Sequence, residues 1–507
     1  MPRCECAMLS ASAIRSPLSP FLDHVPEVRT GASASCANLA IAGPILVGKH
    51  SARQDLICLD LIRCCARLHQ RQDILTSSCR YDRYMSIIKT GHLVRGREGM
   101  GNVRAGALVI GAGQAGARAA RAMRMADFDG PIRIIGAEPH FPYERPLLSK
   151  ALLQDPDGPL PWVLAEDQYR ELAIELIVGV PVTEIDRSQR TLRLANETLL
   201  PYDTLLIATG SVLRPIELGH FPTERIFSLR TLEDSRAIAA RLGNGIRVAV
   251  VGGGFVGLET AATMRKRGCE VVVVELADRL LPRLACTEAS ELVLRHHRTS
   301  GIDVRLGTRV VGGGEGFLEL DNGDRIAADM VVAGVGVRPN TDLAEAAGLV
   351  VDDGIVVDAH CRTSDPAIYA AGDVTRQYNP LLGRAVRLES WHNANVQAEI
   401  AGRAMAGLFD TPAEVPWVWS DQGSLNLQMA GFPDQVDQVV IRGDPLGEDG
   451  ISVFQLNRGQ LVGGLTANRG KDMAIIRRLL AAGGALDQDA RMLADESVPL
   501  RKFQQGR

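Results

Sequence analysis

Apolar residues along this chain fall in short runs separated by glycine-rich turns, and one arrangement occurs twice. Residues 107–110 are an unbroken apolar run, Ala-Leu-Val-Ile, which predicts a strand buried on both faces. The run opens into Gly111-Ala-Gly113-Gln-Ala-Gly116. A helical stretch over 117–125 and a second strand over 132–135 follow, closing near Glu138. The order returns at Arg247: a strand over 248–251, then Gly252-Gly-Gly254-Phe-Val-Gly257. A helix over 258–267 and a strand over 271–274 come next, ending at Glu275. Three further apolar runs, at 202–207, 329–333 and 368–373, each stop at small residues. They read as strands whose carboxyl ends let backbone lie against a ligand.

The glycines have separate tasks in such a unit. The first permits a tight turn, the second lets backbone approach a pyrophosphate, and the third lets helix and strand pack closely. The free N–H groups at the helix start favour an anion. The acid at the end of the second strand can hold a ribose diol. One glycine turn of this kind is a weak signal. Two, each bracketed by strands and followed by an acid, point to two bound dinucleotides, Glu138 serving one and Glu275 the other. Glu275 favours NAD(H) over its 2′-phosphorylated form, which a carboxylate would repel; Arg279 and Arg283 lie close by in the sequence. Asp373, ending the 368–373 run, reads equally as a polyol ligand or as a helix N-cap.

Residues 1–100 carry no sustained period and are rich in Arg, Cys and Ser. They read as a disordered or spurious N-terminal extension, reaching to about residue 104, with Met85 and Met100 as internal starts. A targeting peptide is the alternative, without the apolar core of a secretory signal. Of the 10 cysteines, Cys4, Cys6, Cys36, Cys58, Cys64, Cys65 and Cys79 lie there, too irregularly spaced for a zinc site. The others, Cys269, Cys286 and Cys361, are isolated, so the body of the chain reads as cytoplasmic, free of disulfides and without a metal. The 507 residues suggest about three domains. A net charge of −4 gives no reason to expect nucleic acid, and no apolar run reaches the roughly 18–20 residues of a membrane span.

From about residue 106 to 500 the chain resembles the FAD-dependent ferredoxin and rubredoxin reductases, the putidaredoxin reductase-like flavoproteins that serve ring-hydroxylating dioxygenases and cytochromes P450. The motifs carrying the resemblance are Pro142-Tyr-Glu-Arg-Pro-Leu-Leu-Ser-Lys150, Ala208-Thr-Gly210, Gly252-Gly-Gly-Phe-Val-Gly-Leu-Glu259 and Ala333-Gly-Val-Gly-Val-Arg-Pro-Asn340. Tyr369-Ala-Ala-Gly-Asp-Val374, Arg387-Leu-Glu-Ser-Trp-His-Asn393 and Pro416-Trp-Val-Trp-Ser-Asp-Gln422 complete it. His392 and Gly423 depart from the family pattern.

The resemblance implies an α/β fold of two Rossmann-like dinucleotide-binding domains, as in glutathione reductase, plus a small C-terminal α+β domain. It implies FAD contacts at Gly111, Gly113, Ala115, Gly116, Glu138, Lys150, Val182, Ala208, Arg214, Asp373 and Trp391, with Trp417 flanking the flavin where electrons leave. It implies NAD(H) contacts at Gly252, Gly254, Gly257, Glu275, Arg283 and Gly336. Glu259 would face the nicotinamide and pair with Lys150, these two being the catalytic candidates. By residue type alone Lys150 reads equally as a surface residue, and Trp417 with Trp419 as core packing. Residues 105–217 and 338–415 would form the FAD domain, 218–337 the NAD domain inserted into it, and 416–507 the C-terminal domain, with strand-like alternation over 450–462 and a helix over 472–482.

Residues 141–153 contain no cysteine, which excludes the dithiol relay of glutathione-reductase-like relatives. The expected activity is electron transfer from NADH through FAD to a [2Fe-2S] ferredoxin or rubredoxin that feeds an oxygenase. The ferredoxin would dock on basic residues among Arg403, Arg469, Lys471, Arg477 and Arg478. The alternatives are an NADH oxidase or diaphorase using oxygen, and an NADH sensor like apoptosis-inducing factor.

Overall fold

The computed structural model describes residues 105–282, 286–410, 414–447 and 449–503. The extension expected over 1–104, and Arg283, lie outside the described residues.

Each glycine-turn unit builds a five-stranded parallel sheet. In the first, the strand order is Ile368–Ala370, Thr204–Ile207, Ala107–Ile110, Ile132–Gly136, Ile174–Val178. In the second it is Asp303–Arg305, Glu270–Val274, Arg247–Val251, Met330–Ala333, Ile226–Ser228. The strand that enters the glycine turn is central in both. All four residues of Ala107–Ile110 are buried, as a strand covered on both faces requires.

Ile368–Ala370 joins the first sheet from far along the chain, after the second sheet has been completed. The chain leaves the first sheet through Ser211–Leu213 and returns through Val337–Pro339, and these two segments pair antiparallel as a two-stranded ribbon.

Both turn helices begin three residues before the apolar pattern suggests, at Gln114–Met125 and Phe255–Lys266. Gly113 and Gly254 are extended N-caps, so the helical backbone starts at once. The apolar period shows only further on, where each helix presses on its sheet.

Gln114–Met125 also packs on Trp391–Met405 through small residues. A Cβ at Gly402 would lie 2.4 Å from the Ala119 carbonyl oxygen and 2.7 Å from the Ala122 Cβ. Gly402→Val must therefore part the two helices. The expected cost is about 1–3 kcal/mol from overpacking alone, read as a lower urea midpoint with unchanged slope.

The C-terminal sheet is antiparallel, ordered Trp417–Gln422, Leu425–Ala430, Gln460–Ala467, Ile451–Asn457, Gln438–Arg442. The alternation over 450–462 resolves into two strands rather than one, because Arg458 and Gly459 both take positive φ and turn the chain back. The final helix, Gly470–Ala481, buries Met473, Ile476, Leu479 and Leu480, one face of a 3.6-residue period. Among the described residues no helix is long and apolar enough to cross a membrane.

Candidate functional site

Both glycine turns open into one cavity of about 1220 Å³. Their geometry repeats. Gly111 and Gly252 hold φ of +116° and +113°, and a Cβ on either would meet a backbone oxygen, that of Ala208 at 2.2 Å or of Gly334 at 2.4 Å. Gly116 and Gly257 let their helices close on the turn: a Cβ there would sit 2.0 Å or 2.2 Å from the carbonyl oxygen of Gly111 or Gly252. At Gly113 and Gly254 a Cβ would meet nothing within 4 Å. Both glycines line the cavity, so their missing side chains are what brings backbone to its wall.

Glu275 is fixed by its own turn. The N–H of Gly253 donates to Oε2 at 2.6 Å and that of Ala277 to Oε1 at 2.8 Å. Glu138 is held differently: the Tyr143 hydroxyl donates to Oε2 at 2.6 Å, and Arg145 reaches Oε1 at 2.5 Å. Arg145 and Arg230 both line the cavity and are partly buried, and Arg230 lies 3.6 Å from Asp373. Burial, then the charge of Arg145, pulls Arg230 below its usual value. Two crowded guanidiniums suit an anionic ligand. Sequence reading gave these arginines no role. The signal was present for Arg145, which stands inside the 142–150 motif.

Asp373 accepts from the Ser211 hydroxyl at 3.1 Å and caps no helix; Ser390 caps the helix that follows. Ala115, Val182, Ala208, Arg214, Gly336 and Trp391 all line the cavity. Trp417 does not: Trp419 lines the wall in its place, with Trp417 stacked behind it at 5.2 Å between ring centroids. Both rings belong to alternate residues of one strand, so the pattern alone could not say which reaches the wall. Trp391 meets Trp419 edge-on at 5.5 Å, and its indole N–H is buried without a partner. His392 packs edge-on against Trp417, and Gly423, at φ +68°, turns the hairpin after Gln422. Both departures from the family pattern thus sit beside the tryptophans or at the end of their strand.

The pairing of Lys150 with Glu259 is present. Lys150 Nζ lies 2.6 Å from Glu259 Oε2 and donates to the Pro146 carbonyl at 3.0 Å. Both residues line the cavity. Glu259 is 6% exposed, and two hydroxyls donate to it at 2.6 Å, Ser149 to Oε2 and Ser420 to Oε1. The serines were not singled out from the sequence, since neither residue type nor spacing marks them.

Behind Ser420, Gln422 pairs with His297 at 2.8 Å, and burial pushes this imidazole down to about 4. The unfolded chain takes up a proton near 6.5 and the fold resists it, so His297 stabilises fully above that pH and the contribution is lost as pH falls towards 4. The loss should reach about 3 kcal/mol. Comparing urea midpoints at pH 7 and pH 4.5 checks this, with a smaller acid loss expected in His297→Gln.

Among the described residues no cysteine lines the cavity. Burial pushes the Cys286 thiol up to about 11 and that of Cys361 up to about 12, which leaves both inert. Of the basic candidates, Arg403 is paired with Asp410 and Arg469 with Glu496, while Arg477 lies over the Trp417 ring.

Residues 106–398 match the pyridine nucleotide-disulphide oxidoreductase family, and residues 417–504 match a reductase C-terminal domain. The chain is 44% identical over 410 residues to the ferredoxin–NAD(+) reductase component of the anthranilate 1,2-dioxygenase system of Burkholderia cepacia, covering 78% of this chain and 98% of that one. It is 40% identical over 378 residues to the corresponding component of a 3-phenylpropionate/cinnamic acid dioxygenase of Photorhabdus laumondii, covering 74% and 95%. Among solved structures, the covalent putidaredoxin reductase–putidaredoxin complex superposes with a TM-score of 0.75 at 34% identity, covering 79% of this chain and 98% of that one. By these matches the chain belongs to the pyridine nucleotide-disulphide oxidoreductase family, and its near relatives are ferredoxin–NAD(+) reductase components.

Proposed function

We propose that this chain is an NADH-dependent ferredoxin reductase: it binds FAD at the first glycine turn and NAD(H) at the second, and passes electrons to a [2Fe-2S] ferredoxin or rubredoxin serving an oxygenase. The observation that carries the reading is the single cavity lined by both turns, with Lys150 and Glu259 on its wall. The residues fit two dinucleotides. Two open glycines give backbone access, two helix starts and two arginines face the cavity, and a buried indole N–H at the wall lacks a partner.

Bound FAD would supply the hydride acceptor and the conversion of a two-electron donor to single-electron delivery. The chain's own part is placement. The Gly252–Gly257 turn and Glu275 hold the nucleotide end of NADH. Lys150 places a positive charge at the wall where negative charge must be accommodated, and Glu259 fixes that charge in direction. Trp391 and Trp419, backed by Trp417, wall the cavity with rings and exclude water.

We assign residues 105–217 and 338–415 to the FAD domain, 218–337 to the NAD domain and 416–507 to the C-terminal domain. The sheet memberships and the paired crossing segments support this division. We place the protein in the cytoplasm, a reading supported by the free thiols of Cys269, Cys286 and Cys361.

Anaerobic titration tests the reading. NADH should bleach the yellow protein far better than NADPH, and cytochrome c reduction should require added [2Fe-2S] ferredoxin. If the ferredoxin adds nothing and air alone reoxidises the protein at a catalytic rate, the protein is an NADH oxidase.

A further inference from the structure

The strand Trp417–Gln422 turns Ser420 and Gln422 away from its tryptophans, and both are fully buried. They form a row with Glu259 at one end and His297, of the helix Thr287–Thr299, at the other. Ser420 Oγ lies 2.6 Å from Glu259 Oε1, Gln422 Nε2 lies 3.1 Å from Ser420 Oγ, and His297 Nε2 lies 2.8 Å from Gln422 Oε1. Neither Ser420, Gln422 nor His297 lines the cavity.

The direction of every bond follows from what each group can give. Glu259, as the counter-ion of Lys150, only accepts, so the Ser420 hydroxyl donates to it. Ser420 then accepts from its other neighbour, which turns the Gln422 amide nitrogen inward and the amide oxygen outward. That oxygen accepts, so His297 carries its proton on Nε2. Its Nδ1 is buried without a partner, and the single ring proton is therefore used on the side where an acceptor stands. All three donors point towards the same carboxylate, and each bond polarises the next.

We propose that Ser420, Gln422 and His297 are positioning residues for the Lys150–Glu259 pair, holding Glu259 Oε1 so that Oε2 stays on Lys150 and the ammonium stays at the cavity wall. The proposal rests on the reading of that cavity as the FAD and NADH site. It makes the C-terminal strand part of the reductive step, besides any role it has towards an acceptor. His296 flanks the row, its Nε2 2.9 Å from the Gln422 carbonyl oxygen, and adds a second tie between helix and strand.

The test uses the full FAD-loaded chain and two readouts. In anaerobic stopped flow, His297→Leu removes the terminal donor and should slow flavin reduction at saturating NADH about tenfold, with the NADH concentration dependence little changed. His297→Gln places an amide donor near the lost Nε2–H and should recover most of the rate. The second readout needs no turnover. In histidine-selective ¹⁵N spectra, His297 should be the neutral Nε2–H tautomer, and Ser420→Ala should shift its resonance while that of His220, an exposed histidine outside the row, stays in place. Wild-type flavin reduction in His297→Leu, or a His297 resonance unmoved by Ser420→Ala, overturns the proposal. If His297→Leu does not fold, the rate in Ser420→Ala decides in its place. If NADH fails to reduce the wild-type protein, the functional reading fails and the proposal with it, while the spectra still show whether the row exists.

Discussion

Replacing Gly254 by valine is expected to leave a folded, yellow protein that NADH no longer reduces. The backbone there is extended, at φ −82° and ψ 178°, which valine adopts freely. A Cβ there meets no atom within 4 Å beyond its chain neighbours, so the fold has room for a side chain to start. The new side chain projects instead into the cavity in front of the helix start, where backbone must approach the pyrophosphate. Affinity for NADH should fall on the order of a hundredfold or more, a loss of about 3 kcal/mol. Gly113→Val makes the mirror-image change, at φ −113° and ψ −163°, and should cost FAD instead, giving a colourless chain. Flavin content and equilibrium NADH titration of the two variants check both halves. A yellow Gly254→Val protein bleached normally by NADH would show that the second turn does not hold the nucleotide. Substituting Gly252 would not separate the roles, because a Cβ there strikes the Gly334 carbonyl and disturbs the fold itself.

That contrast shows why the turns were legible in the sequence. Glycine spacing encodes backbone geometry directly, and the central buried strands before each turn are continuous apolar runs. Both turns therefore stand where the pattern put them, and only the helix starts moved, by three residues, because the first turn of each helix lines the cavity and not the sheet, so residues as different as Gln114 and Phe255 open it and no apolar period marks it. The pairing of Lys150 with Glu259 came from resemblance alone, since nothing local in either residue announces a partner so distant in the chain. Trp417 shows the limit of a period of two: it shares a strand face with Trp419, and only packing against Trp391 decides which ring reaches the wall. The hydroxyls of Ser149 and Ser420 and the imidazole of His297 were not legible. They are buried polar groups from separate elements, and their meaning arises only from one another.

Lys150→Met is expected to slow flavin reduction by NADH on the order of a hundredfold, and to destabilise the fold as well. The two effects have different causes and can be separated. Removing the ammonium leaves Glu259, 6% exposed, as a carboxylate with only the hydroxyls of Ser149 and Ser420 around it. Breaking a buried pair from one side typically costs about 3–5 kcal/mol, because one charge stays desolvated without its partner. Adding Glu259→Gln removes that stranded charge, while the amide oxygen can still accept from a serine. The double variant should regain most of the lost stability by urea midpoint, since the cost belonged to the unpaired charge. Its rate should not recover, because no positive charge remains at the cavity wall. A double variant that regained both would make the pair a structural tie, and a single variant reduced at the wild-type rate would remove Lys150 from the chemistry. Recovery of stability without recovery of rate is the outcome that assigns the charge of Lys150 to electron transfer and the burial of Glu259 to keeping that charge in place.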